Sequence, residues 1–172
     1  MEQKVSIPSI NVKVKLLYFN SVLPTLAHTT DVGFDVHATS CKYDVVNDCF
    51  IYGSGIELEM PDNIFCDARA RSSGYKTDCY IPFGVGTIDP GYRGEIKFIY
   101  KPRTSNYIVT TINRILSKGF GFKMKLPEPP FAIGDKVGQL VFFRKLNIEL
   151  TRVDEVADSD RGKNGFGSTG KK

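Results

Sequence analysis

The chain has 172 residues, enough for one domain with an insertion, and 41 % of them are hydrophobic, enough to fill a core. Its 23 basic and 19 acidic residues leave a net charge of +4, too mild for a nucleic-acid footprint but suited to an anionic small molecule. The first twenty residues hold no long apolar run and no small-residue cleavage site, so neither a signal peptide nor a membrane-spanning helix is expected.

The predicted elements are mostly strands. "NVKVKLLYF" alternates Val12, Val14 and Leu16 against Lys13 and Lys15, the period of a half-buried strand. "YDVVNDCFIYGSGIELEMP" reads as strand, turn at Gly53-Ser54-Gly55, and strand, and "NIFCDARA" as another short strand. "GEIKFIYK" puts Ile96, Phe98 and Tyr100 on one side, and "DKVGQLVFFRKLNIEL" supplies one or two more strands. Short strands broken by Gly and Pro predict an all-β sandwich or jelly roll. One stretch departs from this. In "TSNYIVTTINRILSKG", Ile108, Ile112, Ile115 and Leu116 follow helical spacing, with Ser105 as a cap and Gly119 as a stop; the β-branched run within it competes for a strand. Cys41, Cys49, Cys66 and Cys79 lack C-x-x-C spacing and are expected to be reduced and mostly buried, as in a cytosolic or nuclear protein.

Four segments carry chemistry. In "FGVGTIDPGYRGEIKFIY", Asp89-Pro90-Gly91 marks a turn, read as the tip of a hairpin. Gly84, Gly86 and Gly94 allow close approach to the backbone, and Asp89, Tyr92 and Arg93 put a carboxylate, a ring and a guanidinium together. That combination suits a base, a sugar and phosphates. "ARSSG" joins Arg71 to Ser72 and Ser73 in a polar turn able to take phosphate oxygens. In "GDKVGQLV", alternation puts Gln139 on the apolar face of Val137 and Val141, where a buried amide needs partners. "RGKNGFGSTG" sets Arg161 and Phe166 among glycines; by composition alone it is an idle tail. His28 and His37 are read as surface or loop residues without a chemical role.

Taken in order, "TTDVGFDVHA", "ARSSG", "GVGTIDPGYRGEIK", "GDKVGQL" and "RGKNGFGSTG" resemble the five motifs of trimeric deoxyuridine triphosphatases (dUTPases). Three features depart from that pattern. Gly74 stands where a leucine is common, Gly138 where an alanine is usual, and the chain between Tyr100 and Gly134 is longer than the family's. The resemblance implies a jelly-roll-like β domain over residues 1–160, with an insertion at about 104–126 that holds the short helix. It also implies a homotrimer with active sites shared between subunits, and a mobile arm, residues 161–172, that closes over a neighbour's site.

The implied reaction is hydrolysis of dUTP to dUMP and pyrophosphate, limiting uracil incorporation into DNA and supplying dUMP for dTMP synthesis. Asp89 would be the general base for water attacking the α-phosphorus. Gly84, Val85, Gly86, Thr87 and Ile88 would read uracil with their backbone, and Tyr92 would pack under the deoxyribose. Arg71, Ser72, Ser73, Gln139, Arg161, Gly167, Ser168 and Thr169 would bind phosphates, with Phe166 as a lid on the base. Mg2+ would bridge the phosphates and meet Asp35 through water. No nucleic acid or membrane partner is implied. Two rivals stand beside this reading: a dCTP deaminase of the same superfamily, and a regulatory protein on the same scaffold whose insertion binds a protein partner.

Overall fold

A computed structural model of the chain describes residues 9–103 and 127–163. Among them, ten strands follow in order: β1 (Lys13–Leu16), β2 (Gly33–His37), β3 (Ser40–Asp44), β4 (Cys49–Gly53), β5 (Ile56–Glu59), β6 (Ile64–Arg69), β7 (Cys79–Tyr80), β8 (Gly86–Ile88), β9 (Lys97–Pro102) and β10 (Lys136–Arg144). A 3-10 turn, Ser72–Lys76, lies between β6 and β7. One four-stranded sheet has the order β2-β10-β6-β8, the other β3-β4-β9-β7, and β1 pairs with β5. Every pairing is antiparallel. The expected all-β, jelly-roll-like class is what forms.

The core follows from alternation. Phe50 and Tyr52 on β4, Phe98 and Tyr100 on β9, Cys66 on β6 and Leu140 on β10 are all fully buried, with Ile96 just ahead of β9. Burying one such side chain contributes about 1.5–3 kcal/mol. The two buried tyrosines also satisfy their hydroxyls. Tyr52 donates to the Phe131 carbonyl at 3.0 Å and Tyr100 to the Val137 carbonyl at 2.5 Å. All four cysteines are free thiols, and burial pushes the Cys66 thiol up to about 12. Leu16, expected inside, is exposed at the end of β1.

Several expectations change. The run "YDVVNDCFIYG" is two strands, β3 and β4, turned at residues 45–48 by Asp48 with a φ of 52°. Gly53-Ser54-Gly55 makes no hairpin, because β5 leaves β4 to pair with β1. Asp89-Pro90-Gly91 is likewise not a hairpin tip: β8 and β9 belong to different sheets, and the turn crosses between them. The face of β10 also reverses. Its register against β2 shifts between Lys136 and Gly138, so Val137 and then Leu140 point inward while Gln139 turns to the outer face. A bulge inserts one residue and flips the alternation beyond it. Gly138 fits this bend because a Cβ there would sit 2.0 Å from the Phe98 ring. The expected helix and insertion at 104–126 lie outside the described residues, as do Phe166, Gly167, Ser168 and Thr169.

Candidate active site

The outer surface of β2, β10 and the segment after β6 builds a polar pocket of about 410 Å³. Asp35, 5 % exposed, is its buried charge. Its Oδ1 accepts a bond from Arg71 Nε at 2.7 Å and its Oδ2 one from Lys136 Nζ at 2.8 Å. Burial raises the Asp35 carboxyl, but the Lys136 hydrogen bond and the Arg71 charge outweigh it and hold the group below its usual value. Arg71 spends one donor on Asp35 and another on Ser73 Oγ at 3.5 Å, and a guanidinium has five. Ser72 and Gln139 line the same pocket. Gly33 makes room for the amide, since a Cβ there would meet Gln139 Oε1 at 2.3 Å. Gln139 Nε2 donates to the Ala70 carbonyl at 3.4 Å, so its carbonyl oxygen faces the pocket side of Gly33.

Beyond Arg71 a second hollow of about 420 Å³ is lined by His37, Ser73, Gly134 and Lys136. His37 closes β2 and is half-buried, with a buried Nδ1 that has no partner among the described residues. The expectation of a surface or loop histidine is therefore corrected. Position 37 lies two residues beyond Asp35 on one strand, so both side chains leave the same face. Lys136 is a site residue that the sequence reading misses, although it stands inside "GDKVGQL".

A separate, mainly apolar pocket of about 220 Å³ opens between β8 and the loop that follows it. Ile81, Phe83, Ile88 and Phe98 wall it, and Asp89 and Tyr92 stand at its rim. Gly84 adopts a φ of 71° with open space around it, as close backbone approach demands. Tyr92 is 47 % exposed and its hydroxyl donates to the Glu95 carbonyl at 3.3 Å. Its phenol end lies over Gly94, where a Cβ would come within 2.4 Å of Oη. Arg93 does not join this rim. Its Nη1 bonds to the carbonyls of Pro90 at 2.6 Å, Tyr92 at 3.0 Å and Leu58 at 3.4 Å, so it braces the loop.

Comparison with known proteins gives these pockets a family. No family model matches the chain. The deoxyuridine 5'-triphosphate nucleotidohydrolase of Clostridium acetobutylicum is 31 % identical over 165 residues, 95 % of this chain and 99 % of the relative. The chain belongs to the dUTPase family. The Corynebacterium glutamicum dUTPase is 34 % identical over 152 residues, 87 % of each protein. Among solved structures, Staphylococcus bacteriophage 80alpha dUTPase with dUPNHPP aligns at a TM-score of 0.70 and 23 % identity, covering 93 % of this chain and 98 % of that one. A point-mutant dUTPase from phage phi11 of S. aureus, described with a structural Mg(II) ion, aligns at 0.61 and 22 %, covering 84 % and 97 %.

The fold thus brings together some of the family's motif residues and keeps others apart. Asp35, Arg71, Ser72 and Gln139 share the polar pocket, and Gly86, Thr87, Ile88, Asp89 and Tyr92 share the apolar one. Among the described residues none lines both. Arg161 lines neither. Residues 145–160, which precede it, run exposed and outside any strand, with Leu146, Ile148 and Leu150 turned to solvent. Among the described residues no three His, Cys, Asp or Glu side chains cluster to hold a metal, and no helix is long and apolar enough to cross a membrane.

Proposed function

We propose that the chain hydrolyses dUTP to dUMP and pyrophosphate, limiting uracil in DNA, with Asp89 as the general base for water attacking the α-phosphorus. The observation that carries this reading is the contrast between a mainly apolar pocket rimmed by Asp89 and Tyr92 and a polar one that offers Arg71, Ser72 and Gln139. The first suits a nucleoside and the second a polyphosphate. Uracil would lie against the backbone of Gly84, Val85, Gly86, Thr87 and Ile88. A cytosine there would leave donors and acceptors unpaired. Tyr92 would underlie the deoxyribose and exclude a 2′-hydroxyl.

Arg71, Ser72, Ser73 and Gln139 would meet the negative charge that builds on departing pyrophosphate, as fixed donors do. Arg161, Gly167, Ser168 and Thr169 would complete that clamp, and Phe166 would cover the base. The arm 161–172 would thus be a closing element on the β domain 1–160, with the insertion 104–126 apart from the chemistry. Mg2+ when bound would neutralise phosphate charge. Both Asp35 oxygens are engaged by cations, but a carboxylate has about four acceptor positions. The donor set therefore fits a hydrated ion held mainly by phosphates, reached from Asp35 through water.

A complete site needs both pockets, and one chain keeps them separate. A homotrimer in which copies share sites answers this, and the exposed apolar residues at 146, 148 and 150 give the outgoing arm something to bury on a neighbour. The test is the purified full-length protein with dUTP, dCTP and Mg2+. Pyrophosphate from dUTP without ammonia from dCTP is expected. No pyrophosphate, or ammonia from dCTP, overturns the reading.

A further inference from the structure

Strand β8 is only three residues long and lies at the edge of its sheet, with β6 as its sole neighbour among the described residues. Asp89 follows it directly. Three register pairs hold it: Cys66 with Ile88, Asp67 with Thr87, and Ala68 with Gly86. So short an edge strand is a weak platform for a catalytic group, because misplacement by about 1 Å can cost about a hundredfold in rate. A side-chain tie on the outer face of the sheet supplies what the backbone lacks.

Asp67 on β6 is 8 % exposed and belongs to none of the five motifs. Its Oδ1 accepts a hydrogen bond from Thr87 Oγ1 at 3.1 Å, and its Oδ2 accepts one from Arg69 Nη2 at 2.7 Å. Arg69 is itself seated, with its guanidinium 5.2 Å from the centre of the Phe143 ring. That ring stacks on Phe65 at 5.4 Å. Arg69 faces Gln139 across the β6–β10 pairing and stands two residues before Arg71. The contacts therefore run from β10 through Arg69 and Asp67 to Thr87, two residues before Asp89.

We propose that Asp67 is a positioning residue: through Thr87 it fixes strand β8, and with it Asp89, against the rigid centre of the sheet. A charged acceptor suits the task, since hydrogen bonds to ionised groups are roughly twice as strong as neutral ones. Arg69 holds the carboxylate in the rotamer that reaches Thr87. The inference rests on Asp89 acting as the base of the reading above. It adds a residue that touches neither substrate nor metal yet sets how well the base is aimed.

The test uses the full-length protein with dUTP and Mg2+, and four variants. Thr87→Val removes the hydroxyl at nearly constant volume. It should lower kcat about tenfold with KM within about twofold, because alignment rather than binding is lost. Thr87→Ser keeps the hydroxyl and should recover kcat to within about threefold of the parent. Asp67→Asn combined with Thr87→Val should cost no more than the worse single change, as for two halves of one contact. If Asp67→Asn does not fold, the Thr87 pair decides alone.

Hydrogen–deuterium exchange gives a readout independent of turnover. Residues 86–89 should exchange about tenfold faster in Thr87→Val, with β2 and β10 unchanged. Parental kcat in Thr87→Val, a loss confined to KM, failure of Thr87→Ser to recover, or unchanged exchange at 86–89 each overturns the proposal. A parent that releases no pyrophosphate sinks the functional reading instead, and the exchange comparison still decides whether the tie exists.

Discussion

The pocket around Asp35 and the pocket around Asp89 are held in shape by opposite means. Asp35 sits on β2, the edge of the four-stranded sheet opposite β8, buried, with a cation on each oxygen. Its geometry is set by charge, and its donors are in place before any ligand arrives. Asp89 is exposed in a crossing loop beyond a short edge strand, and its pocket is shaped by apolar walls and glycines. Electrostatic stabilisation rewards donors that need no reorganisation, whereas a base must reach a water that comes with the substrate. Rigidity and access are thus divided between two ends of one sheet.

The largest effect expected is kinetic and belongs to the exposed side. Asp89→Asn should reduce kcat by about 10²–10⁴ with dUTP binding nearly intact, the usual cost of losing a general base. Its unfolding midpoint in urea should match the parent's, because the side chain is exposed and holds nothing together. A threefold or smaller fall in kcat would remove Asp89 from the role. On the buried side the expectation is reversed. Asp35→Asn leaves Arg71 and Lys136 facing an amide and should destabilise the fold by about 2 kcal/mol. That is less than a fully buried pair would cost, since their side chains stay 32 % and 37 % exposed.

The Asp35 effect carries a pH signature. The carboxyl is held below its usual 3.8 in the folded chain. Its stabilisation is therefore present above that value and is lost as pH falls through the lower, folded one. The difference between parent and Asp35→Asn in urea melts should stay constant near neutrality and shrink below about pH 4. A difference that grows on acidification would contradict the ion-pair account.

Two glycines sharpen the comparison at smaller scale. Gly138→Ala, in the bulge that turns Gln139 outward, would drive a methyl into Phe98 and should cost about 1–3 kcal/mol in a thermal or urea melt. Gly74, in the 3-10 turn beside Ser73, has nothing within 4 Å of where a Cβ would be. Gly74→Ala should therefore be stabilising by about 0.4–1 kcal/mol, through the unfolded chain alone. The one departure from the family's usual residues is structural, and the other is free.

Much of this is legible in the sequence. The burial of Ile96, Phe98 and Tyr100 follows from strict alternation, and four of the five motifs contribute residues to one pocket or the other. What stays hidden has physical causes. The reversal of β10 comes from a bulge, and one glycine among apolar residues does not announce it. The turn at Asp48 lacks the glycine that commonly marks a positive φ. Which sheet a strand joins depends on packing across the whole domain, so the crossing at Asp89 looks like a hairpin. Asp67 carries no signal of its own in "NIFCDARA", because alternation cannot show that Thr87 arrives from another strand.

The contact between Gly138 and Phe98 also couples two positions that are forty residues apart in the chain. The ring at 98 is fully buried and occupies the space that a methyl at 138 would need. A methyl at 138 and a phenylalanine at 98 in this rotamer therefore exclude each other. With the ring seated, alanine at 138 carries the cost given above, and a smaller residue at 98 would relieve it. The residues at 138 and 98 are coupled choices, and a change at one alters what the other accepts.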